Sequence, residues 1–272
     1  MMKYKLLVSD FDNTLLSSDH TVSQHTLSKI SEFTSLGGRF VICTGRMFAS
    51  IRKEAKLLGL HGDVIAYNGG IMGDIDTGEV KYCSNIEKGV ALEIVEYLEN
   101  NGKIVHLYLD DKLYVKEKNP HTDYYCTACR VEANYVGSLV KYLQQTQSLP
   151  MKILILDAPD EIDRLNEILQ QRAGGRYWVA KSAPFLLDIE GANTSKGITL
   201  KYVLDHYGID ASECVCFGDS PNDLSMLKVA GVSVAVDNAT DEVKKVVDYI
   251  TDSCDSDGVG KVIDKIIRGD FL

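Results

Sequence analysis

The chain has 272 residues, of which 45% are hydrophobic, so it can bury the core of one large domain or of two smaller ones. Its 29 basic and 39 acidic residues give a net charge of −10, which argues against a general nucleic-acid binder because such proteins need a basic face. No stretch approaches the roughly 20 apolar residues of a membrane span, and the apolar run behind the basic start is too short for a signal peptide. We therefore expect a cytoplasmic protein that binds neither nucleic acid nor membrane.

The cysteine pattern gives no sign of a disulfide framework or of a structural metal. Seven cysteines is an odd number, and their spacing is irregular. Cys126 and Cys129 form a lone CxxC without the second CxxC or the histidine pair that a zinc site needs. We expect free thiols.

The first part of the chain alternates strands and helices. A helix capped by Ser23 and a helix that ends near Gly59 separate three apolar runs, and residues 71–82 have the pattern of a hairpin. The apolar runs are predicted strands at 4–9, 39–43 and 63–67. This βαβαβ order predicts a parallel sheet that is covered by helices.

The middle of the chain has a different pattern, in which helices mix with hairpin-like strands. The strand–helix alternation returns from Asn193, beginning with a helix at 196–207. The sequence therefore predicts an α/β core domain built from residues 1–84 and 190–272, with an α+β domain of residues 85–189 inserted into it.

Two carboxylates stand directly after the first predicted strand, in the segment Asp10-Phe11-Asp12-Asn13-Thr14. Because side chains alternate in direction along a strand, Asp10 and Asp12 leave the strand end on the same side. Open α/β sheets bind their ligands at the carboxyl ends of the strands. A pair of acids there suits a hard cation and a phosphoryl group, with one Asp attacking phosphorus and the other handling the proton.

Thr44-Gly45-Arg46 follows the second predicted strand and is predicted to open a helix. Helix amino termini bind phosphate through their free N–H groups. Thr44 adds a hydroxyl donor, and Gly45 lets the backbone come close. The alternative interpretation is that Thr44 is simply the N-cap of the helix.

Lys196 follows the cap-rich run Asn193-Thr194-Ser195, which places it in the first turn of a helix. A cation there opposes the helix dipole by about 0.3–1 kcal/mol. A bound anion would turn this penalty into a useful convergence of positive charge. The alternative is an ordinary solvated surface lysine.

A fourth segment, Gly218-Asp219-Ser220-Pro221-Asn222-Asp223, also follows a predicted strand. Asp219 stands at the strand end, as the first pair of acids does. Pro221 suits the first position of a helix capped by Ser220, so Asp223 can also be read as a complement to the helix dipole.

Acids from the first and fourth segments would crowd one cleft with negative charge: Asp10, Asp12, Asp219 and Asp223. Such crowding is costly without a cation. Mg²⁺ prefers hard oxygen ligands and bridges readily to phosphate. We therefore expect Mg²⁺ as the cofactor.

These four segments, in this order, resemble the motifs of the haloacid dehalogenase superfamily. The insertion between the Thr44 segment and Lys196 is similar to that of the Cof-type subfamily (subfamily IIB), whose members have a large α+β cap of the C2 type. The resemblance spans nearly the whole chain. It implies a Rossmann-like parallel-sheet core with a cap domain, and a phosphatase that hydrolyses phosphomonoesters.

The resemblance also implies a role for each matching residue. Asp10 would be the nucleophile that forms an aspartyl-phosphate, and Asp12 the general acid and base. The metal would be held by the Asp10 carboxylate, the Asp12 backbone carbonyl and Asp219, while Asp223 would orient metal-bound waters or the lysine. The phosphoryl oxygens would be held by Thr44, Gly45, Lys196 and Asn222.

Two asparagines stand at predicted turns. Asn13 occupies a position where family members mostly have glycine, and asparagine tolerates the left-handed conformation best among the other residues, so the turn is expected to survive. Asn68, in Asn68-Gly69-Gly70, follows the third predicted strand, but an ordinary Asn-Gly turn explains it equally well. It is therefore left out of the predicted site.

We expect the substrate to be a small phosphorylated metabolite, with a sugar phosphate first and FMN or pyridoxal phosphate next. The protein would act as a monomer or a small homo-oligomer. Three alternatives stay open: a phosphomutase of the same superfamily, a phosphoaspartate receiver domain, and a non-catalytic phosphate-binding module. A nucleophile on the first strand and a long insertion both argue against the receiver domain.

Overall fold

The computed structural model describes residues 2–272 and divides the chain into two compact units. The core unit comprises the chain up to Tyr82 together with Ser195–Leu272, and the inserted unit comprises Cys83–Thr194. The first contains a mostly parallel sheet and the second a mostly antiparallel one. The predicted fold class, an α/β fold with an inserted α+β segment, is confirmed.

The predicted strands at 4–9, 39–43 and 63–67 and the predicted helix at 196–207 are all present as regular elements. The strands are β1 (Leu6–Ser9), β2 (Arg39–Cys43), β3 (Asp63–Ala66), β4 (Ile71–Asp74), β5 (Val80–Cys83), β6 (Ile104–Leu109), β7 (Lys112–Val115), β8 (Ala133–Tyr135), β9 (Pro150–Leu156), β10 (Tyr177–Ala183), β11 (Leu186–Gly191), β12 (Cys214–Gly218), β13 (Val232–Ala235) and β14 (Tyr249–Ile250). The helices are α1 (Gln24–Ser35), α2 (Phe48–Leu57), α3 (Lys88–Asn100), α4 (Pro120–Cys129), α5 (Leu139–Gln145), α6 (Pro159–Ala173), α7 (Lys196–Tyr207), α8 (Leu224–Leu227), α9 (Asp241–Lys244) and α10 (Gly258–Arg268).

The core sheet has the strand order β14-β13-β12-β1-β2-β3-β4-β5. Its strands from β14 to β3 are parallel, and β4 runs antiparallel to β3. Central strands are buried on both faces, with Val8 level with Cys216 on one side and Val41 on the other. Because parallel strands end at the same edge, the residues after β1, β2, β3 and β12 come together there.

Helix α1 forms as its sequence predicts. Ser23 caps it, accepting a hydrogen bond from the Thr26 N–H. Its buried face carries Ile30 and Phe33, and a buried phenylalanine contributes roughly 1.5–3 kcal/mol. Gly38 is required beyond the helix end because a Cβ there would lie 2.2 Å from the Phe33 ring.

The prediction that Thr44-Gly45-Arg46 opens a helix is wrong. Helix α2 begins at Phe48, and Met47 is its N-cap. The preceding carbonyls accept bonds from the turn after β3: Asn68 N–H donates to Thr44 O at 3.0 Å, and Tyr67 N–H donates to Arg46 O at 2.9 Å. The Thr44 and Arg46 carbonyls therefore bond to the neighbouring turn rather than to N–H groups of a helix, and the segment is a loop. Thr44 is not the N-cap of α2.

The inserted unit contains a six-stranded sheet in the order β10-β11-β9-β6-β7-β8. One face packs against α3, α5 and α6 through a hydrophobic core that includes Leu107, Ile153 and Leu187. Helix α4 includes Tyr124 and Tyr125. Asn119 caps it and Pro120 stands in its first turn, a position that proline favours.

The other face of the inserted sheet carries buried polar side chains. Lys152 Nζ lies 2.8 Å from Asp188 Oδ2, and both side chains are almost completely buried. The ring of His106 is hydrogen-bonded through Nε2 to Thr122 at 2.9 Å. Burial, helped by the Lys152 charge, lowers the pKa of His106 to about 3, so this ring is neutral at physiological pH.

A membrane span is not found among the described helices. Within residues 2–272, none is both long and apolar enough to cross a bilayer.

Candidate active site

A buried ion-pair cluster lies at the carboxyl edge of the core sheet. Asp10 follows β1, and its backbone N–H donates to Phe217 O of β12 at 3.0 Å. Lys196 Nζ lies 2.5 Å from Asp10 Oδ1 and 2.6 Å from Asp223 Oδ1. The Lys196 side chain has no exposed surface. Lys196 is therefore not a solvated surface lysine.

Burial and charge act together on this cluster. Desolvation raises the pKa of Asp10 well above its usual range, Lys196 opposes this shift, and the nearby carboxylates add to it. For Lys196, burial alone disfavours the charged form, but Asp10 and Asp223 outweigh it and raise the pKa of the ammonium group. Lys196 therefore stays positively charged at neutral pH.

Asp223 connects the fourth segment to Lys196. Its Oδ2 accepts hydrogen bonds from Asp219 N–H at 2.9 Å and Ser220 N–H at 3.0 Å, while its Oδ1 faces the lysine. It therefore caps the short turn at Pro221–Asp223 and also holds the cation. Gly218 is needed at this point, because a Cβ there would lie 2.6 Å from the Asp223 side chain.

Asp219 stands at the end of β12 and is only partly buried. Thr14 donates its hydroxyl hydrogen to Asp219 Oδ1 at 3.1 Å, which links the first and fourth segments. Burial first and the Asp223 charge second raise the pKa of Asp219 to about 6, although the Thr14 hydrogen bond opposes this. Burial and the neighbouring Asp223 charge thus both disfavour an ionised Asp219.

The donor set of this cluster suits a metal ion. Asp10, Asp219 and Asp223 each offer a carboxylate oxygen, and these oxygens lie within 4.8 Å of one another. Both oxygens of Asp223 already accept bonds from Lys196 or backbone N–H groups, so Asp10 and Asp219 are the better placed ligands. Three carboxylates against one lysine leave an excess of negative charge, which a hard, oxygen-preferring cation would offset.

Asp12 lies at the rim of the site and is held by Arg46. Arg46 donates from Nε to Asp12 Oδ2 at 2.9 Å and from Nη2 to Asp12 Oδ1 at 2.6 Å, a bidentate ion pair. The guanidinium also lies 4.8 Å from the centre of the Phe11 ring. Asn13 adopts the expected left-handed conformation, with φ 60°. No role for Arg46 was predicted, because no local pattern connects it to Asp12.

Thr44, Gly45 and Asn222 meet around a residue that the sequence analysis left out, Asn68. Asn222 Nδ2 donates to Asn68 Oδ1 at 3.2 Å. The same Oδ1 lies 2.8 Å from where a Cβ on Gly45 would be, so any other residue at position 45 would displace the Asn68 amide. Thr44 is buried, and its Oγ1 accepts a bond from Arg46 N–H at 3.2 Å. The one sequence feature that pointed to Asn68 was the Asn-Gly-Gly run after the third strand.

The chain is similar to known proteins over most of its length. The sequence model of the haloacid dehalogenase-like hydrolase family matches residues 7–263 of this chain. A crystal structure of TM0651 from Thermotoga maritima is similar with a TM-score of 0.86 and 30% identity, over 96% of this chain and 97% of that one. A haloacid dehalogenase-like hydrolase from Bacteroides thetaiotaomicron has a TM-score of 0.87 and 27% identity, over 97% and 99% of the two chains.

A curated relative has a named substrate. The 5-amino-6-(5-phospho-D-ribitylamino)uracil phosphatase YwtE of Bacillus subtilis is 27% identical over 295 aligned residues, which cover 98% of this chain and 99% of the relative. The family model, the shared fold and the full-length matches agree with one another. The chain therefore belongs to the haloacid dehalogenase-like hydrolases and is an enzyme of their phosphatase type.

Proposed function

We propose that the protein is a Mg²⁺-dependent phosphatase that hydrolyses small phosphomonoesters through an aspartyl-phosphate on Asp10. The observation that carries this proposal is the buried contact of Lys196 with Asp10 and Asp223, with Asp219 close enough to share one cation with them. Phosphoryl transfer needs positioning and charge neutralisation more than elaborate covalent chemistry. This cluster offers both at the ligand-binding edge of the sheet.

Two side chains carry the chemical steps. Asp10 Oδ attacks phosphorus, the bond from phosphorus to the ester oxygen breaks, and Asp12 gives its proton to the departing oxygen. Asp12 then takes a proton from a water molecule that attacks the same phosphorus. This second step breaks the Asp10–phosphorus bond and releases inorganic phosphate. General acid–base catalysis of this kind contributes about 10²–10⁴ in rate.

The remaining residues bind and neutralise the phosphoryl group. Its oxygens would be held by Thr44, Gly45, Lys196 and Asn222. Lys196, which is charged and buried, offsets the negative charge that the equatorial oxygens carry during transfer. Asp223 fixes the lysine by accepting from it at 2.6 Å.

The Mg²⁺ ion would be held by Asp10, by Asp219 and by the backbone carbonyl of Asp12. When bound, its charge would keep the nucleophilic carboxylate ionised and would offset charge on the phosphoryl oxygens. An all-oxygen donor set favours Mg²⁺ over Zn²⁺, which prefers nitrogen and sulfur.

We infer that the substrate is a phosphorylated sugar or polyol. The relative from Bacillus subtilis acts on a ribityl phosphate, which supports this class and keeps a cofactor such as FMN or pyridoxal phosphate as an alternative. We assign residues 1–84 and 190–272 to catalysis and residues 85–189 to substrate selection.

The function is tested by a screen of phosphomonoesters with Mg²⁺, covering sugar phosphates, polyol phosphates, FMN and pyridoxal phosphate. We expect turnover of at least one sugar or polyol phosphate, with equal amounts of inorganic phosphate and free alcohol. Full activity in excess EDTA would contradict the metal assignment. Transfer of phosphate to a second sugar position, without release, would indicate a phosphomutase instead.

Metal binding also has an expected dependence on pH. Asp219 has a pKa near 6 in the folded protein without metal, above the value of about 3.9 for a free aspartate. Between these values the folded protein holds a proton that the unfolded chain has released, so stability without metal falls as pH rises through this window. Mg²⁺ needs the deprotonated carboxylate. We therefore expect Mg²⁺ to raise the melting temperature more at about pH 8 than at about pH 5.

Thermal unfolding with Mg²⁺ and with EDTA at both pH values measures this difference. The Asp219→Asn variant should lose most of the Mg²⁺ effect at both. An equal stabilisation of the parent at the two pH values would argue against carboxylate ligands at this site.

A further inference from the structure

The turn that follows β3 touches every segment proposed to bind the phosphoryl group. Asn68 N–H donates to Thr44 O at 3.0 Å, which holds the second segment. Thr199 of α7 donates its hydroxyl hydrogen to Gly69 O at 2.6 Å, one helical turn from Lys196. Gly69 packs so closely on α7 that a Cβ there would lie 2.3 Å from Ser195 O. The turn therefore fixes the start of the lysine helix.

The backbone of this turn is unusual. Tyr67 and Asn68 are both left-handed, with φ 50° and 51°, and both are buried. Asparagine adopts this conformation with some ease, but a tyrosine rarely does. Strained backbone persists only where the surroundings hold it, and it clusters at functional sites. An ordinary exposed Asn-Gly turn would need neither the burial nor a left-handed tyrosine before the asparagine.

The Asn68 side chain acts on Asn222. Ser220 donates its hydroxyl hydrogen to Asn222 Oδ1 at 2.7 Å, and Asn222 Nδ2 donates one hydrogen to Asn68 Oδ1 at 3.2 Å. These two bonds fix the plane of the Asn222 amide and therefore the direction of its second N–H. They also select one of the two flipped orientations of this amide.

We propose that Asn68 is a positioning residue for phosphate binding: its carboxamide oxygen orients the Asn222 amide so that the second N–H donates to a phosphoryl oxygen. This inference rests on the proposed function, because Asn222 is assigned to the phosphoryl group there. The loss of a single such hydrogen bond weakens binding by about tenfold.

The Asn68→Gly variant tests the proposal. Glycine adopts the left-handed conformation freely, so the turn is kept and only the carboxamide is lost. We expect the dissociation constant for inorganic phosphate, measured calorimetrically with Mg²⁺, to rise about tenfold. In turnover the KM should rise by a similar factor while kcat changes less. The Mg²⁺-induced rise in melting temperature should match that of the parent protein, which separates this effect from damage to the fold.

His20 provides a matched control. It is exposed, it has φ 60°, and it is outside the proposed site. His20→Gly therefore makes the same exchange of a left-handed residue for glycine and should leave phosphate affinity unchanged.

A double mutant separates an effect through Asn222 from a general one. If Asn68 acts by orienting Asn222, Asn68→Gly should weaken phosphate binding little further once Asn222→Ala is present. Independent effects, in which the two factors multiply, would overturn the proposal. So would an unchanged phosphate affinity in Asn68→Gly. A parent protein that binds phosphate but hydrolyses no ester would count against the proposed function alone, whereas a parent that binds no phosphate would overturn both.

Discussion

Asp10→Asn is expected to abolish turnover, lowering kcat by roughly 10⁴-fold or more, as removal of a nucleophile does in other hydrolases. The amide has nearly the same shape as the carboxylate, but it is neutral and does not attack phosphorus. Lys196 keeps its second partner, Asp223, so the site should stay assembled. Release of inorganic phosphate from the best substrate of the screen measures the loss.

Asp10→Asn is expected to abolish activity without lowering the stability of the folded protein. Burial and the neighbouring carboxylates raise the pKa of Asp10, so its ionised form is costly to the folded protein at neutral pH. In EDTA, Asp10→Asn should therefore be at least as stable as the parent. Asp252→Asn, at an exposed carboxylate paired with Lys261, is the control and should keep full activity. Substantial turnover by Asp10→Asn would exclude Asp10 as the nucleophile.

Asp12→Ala is expected to slow steady-state hydrolysis of a sugar phosphate by about 10²–10⁴-fold. When the Asp12 carboxyl group is missing, the leaving oxygen departs unprotonated and the attacking water is not activated. An ester with a good leaving group, such as p-nitrophenyl phosphate, does not need the first proton. With that ester, phosphorylation of Asp10 should therefore proceed while its hydrolysis lags.

A rapid initial release of nitrophenol followed by a slow steady state would be the kinetic mark of this separation. The initial release should match the amount of enzyme. Unchanged steady-state rates with both esters would exclude Asp12 from acid–base catalysis. Asp12→Ala also removes the bidentate ion pair with Arg46.

The positions of Asp10 and Asp219 in the fold could be predicted from the sequence, because each follows the end of a strand. Asp10 and Asp219 are local features of β1 and β12, and the parallel sheet brings them to one edge. Lys196 was predicted in the first turn of a helix, where it lies. Its depth of burial could not be predicted, because it depends on packing by segments that are distant along the chain.

The features that the sequence missed depend on contacts over long separations. Asn68 meets Asn222 across 154 positions, and Arg46 meets Asp12 across 34. Thr44 was misplaced at a helix start because the turn after β3, rather than any local pattern, accounts for its backbone bonds. Local secondary-structure propensity does not predict such contacts, and tertiary contacts can override the propensity of a segment.

Direct mapping of the phosphorylated residue tests the central claim, that Asp10 receives the phosphoryl group. The Asp12→Ala variant is mixed with Mg²⁺ and p-nitrophenyl phosphate, quenched in acid, digested and sequenced by mass spectrometry. We expect one phosphoryl group on Asp10, removable by hydroxylamine as an acyl phosphate is, and none after the same treatment of the Asp10→Asn/Asp12→Ala double variant. A phosphoryl group on another residue, or an unmodified Asp10 during the burst of nitrophenol, would contradict the aspartyl-phosphate mechanism.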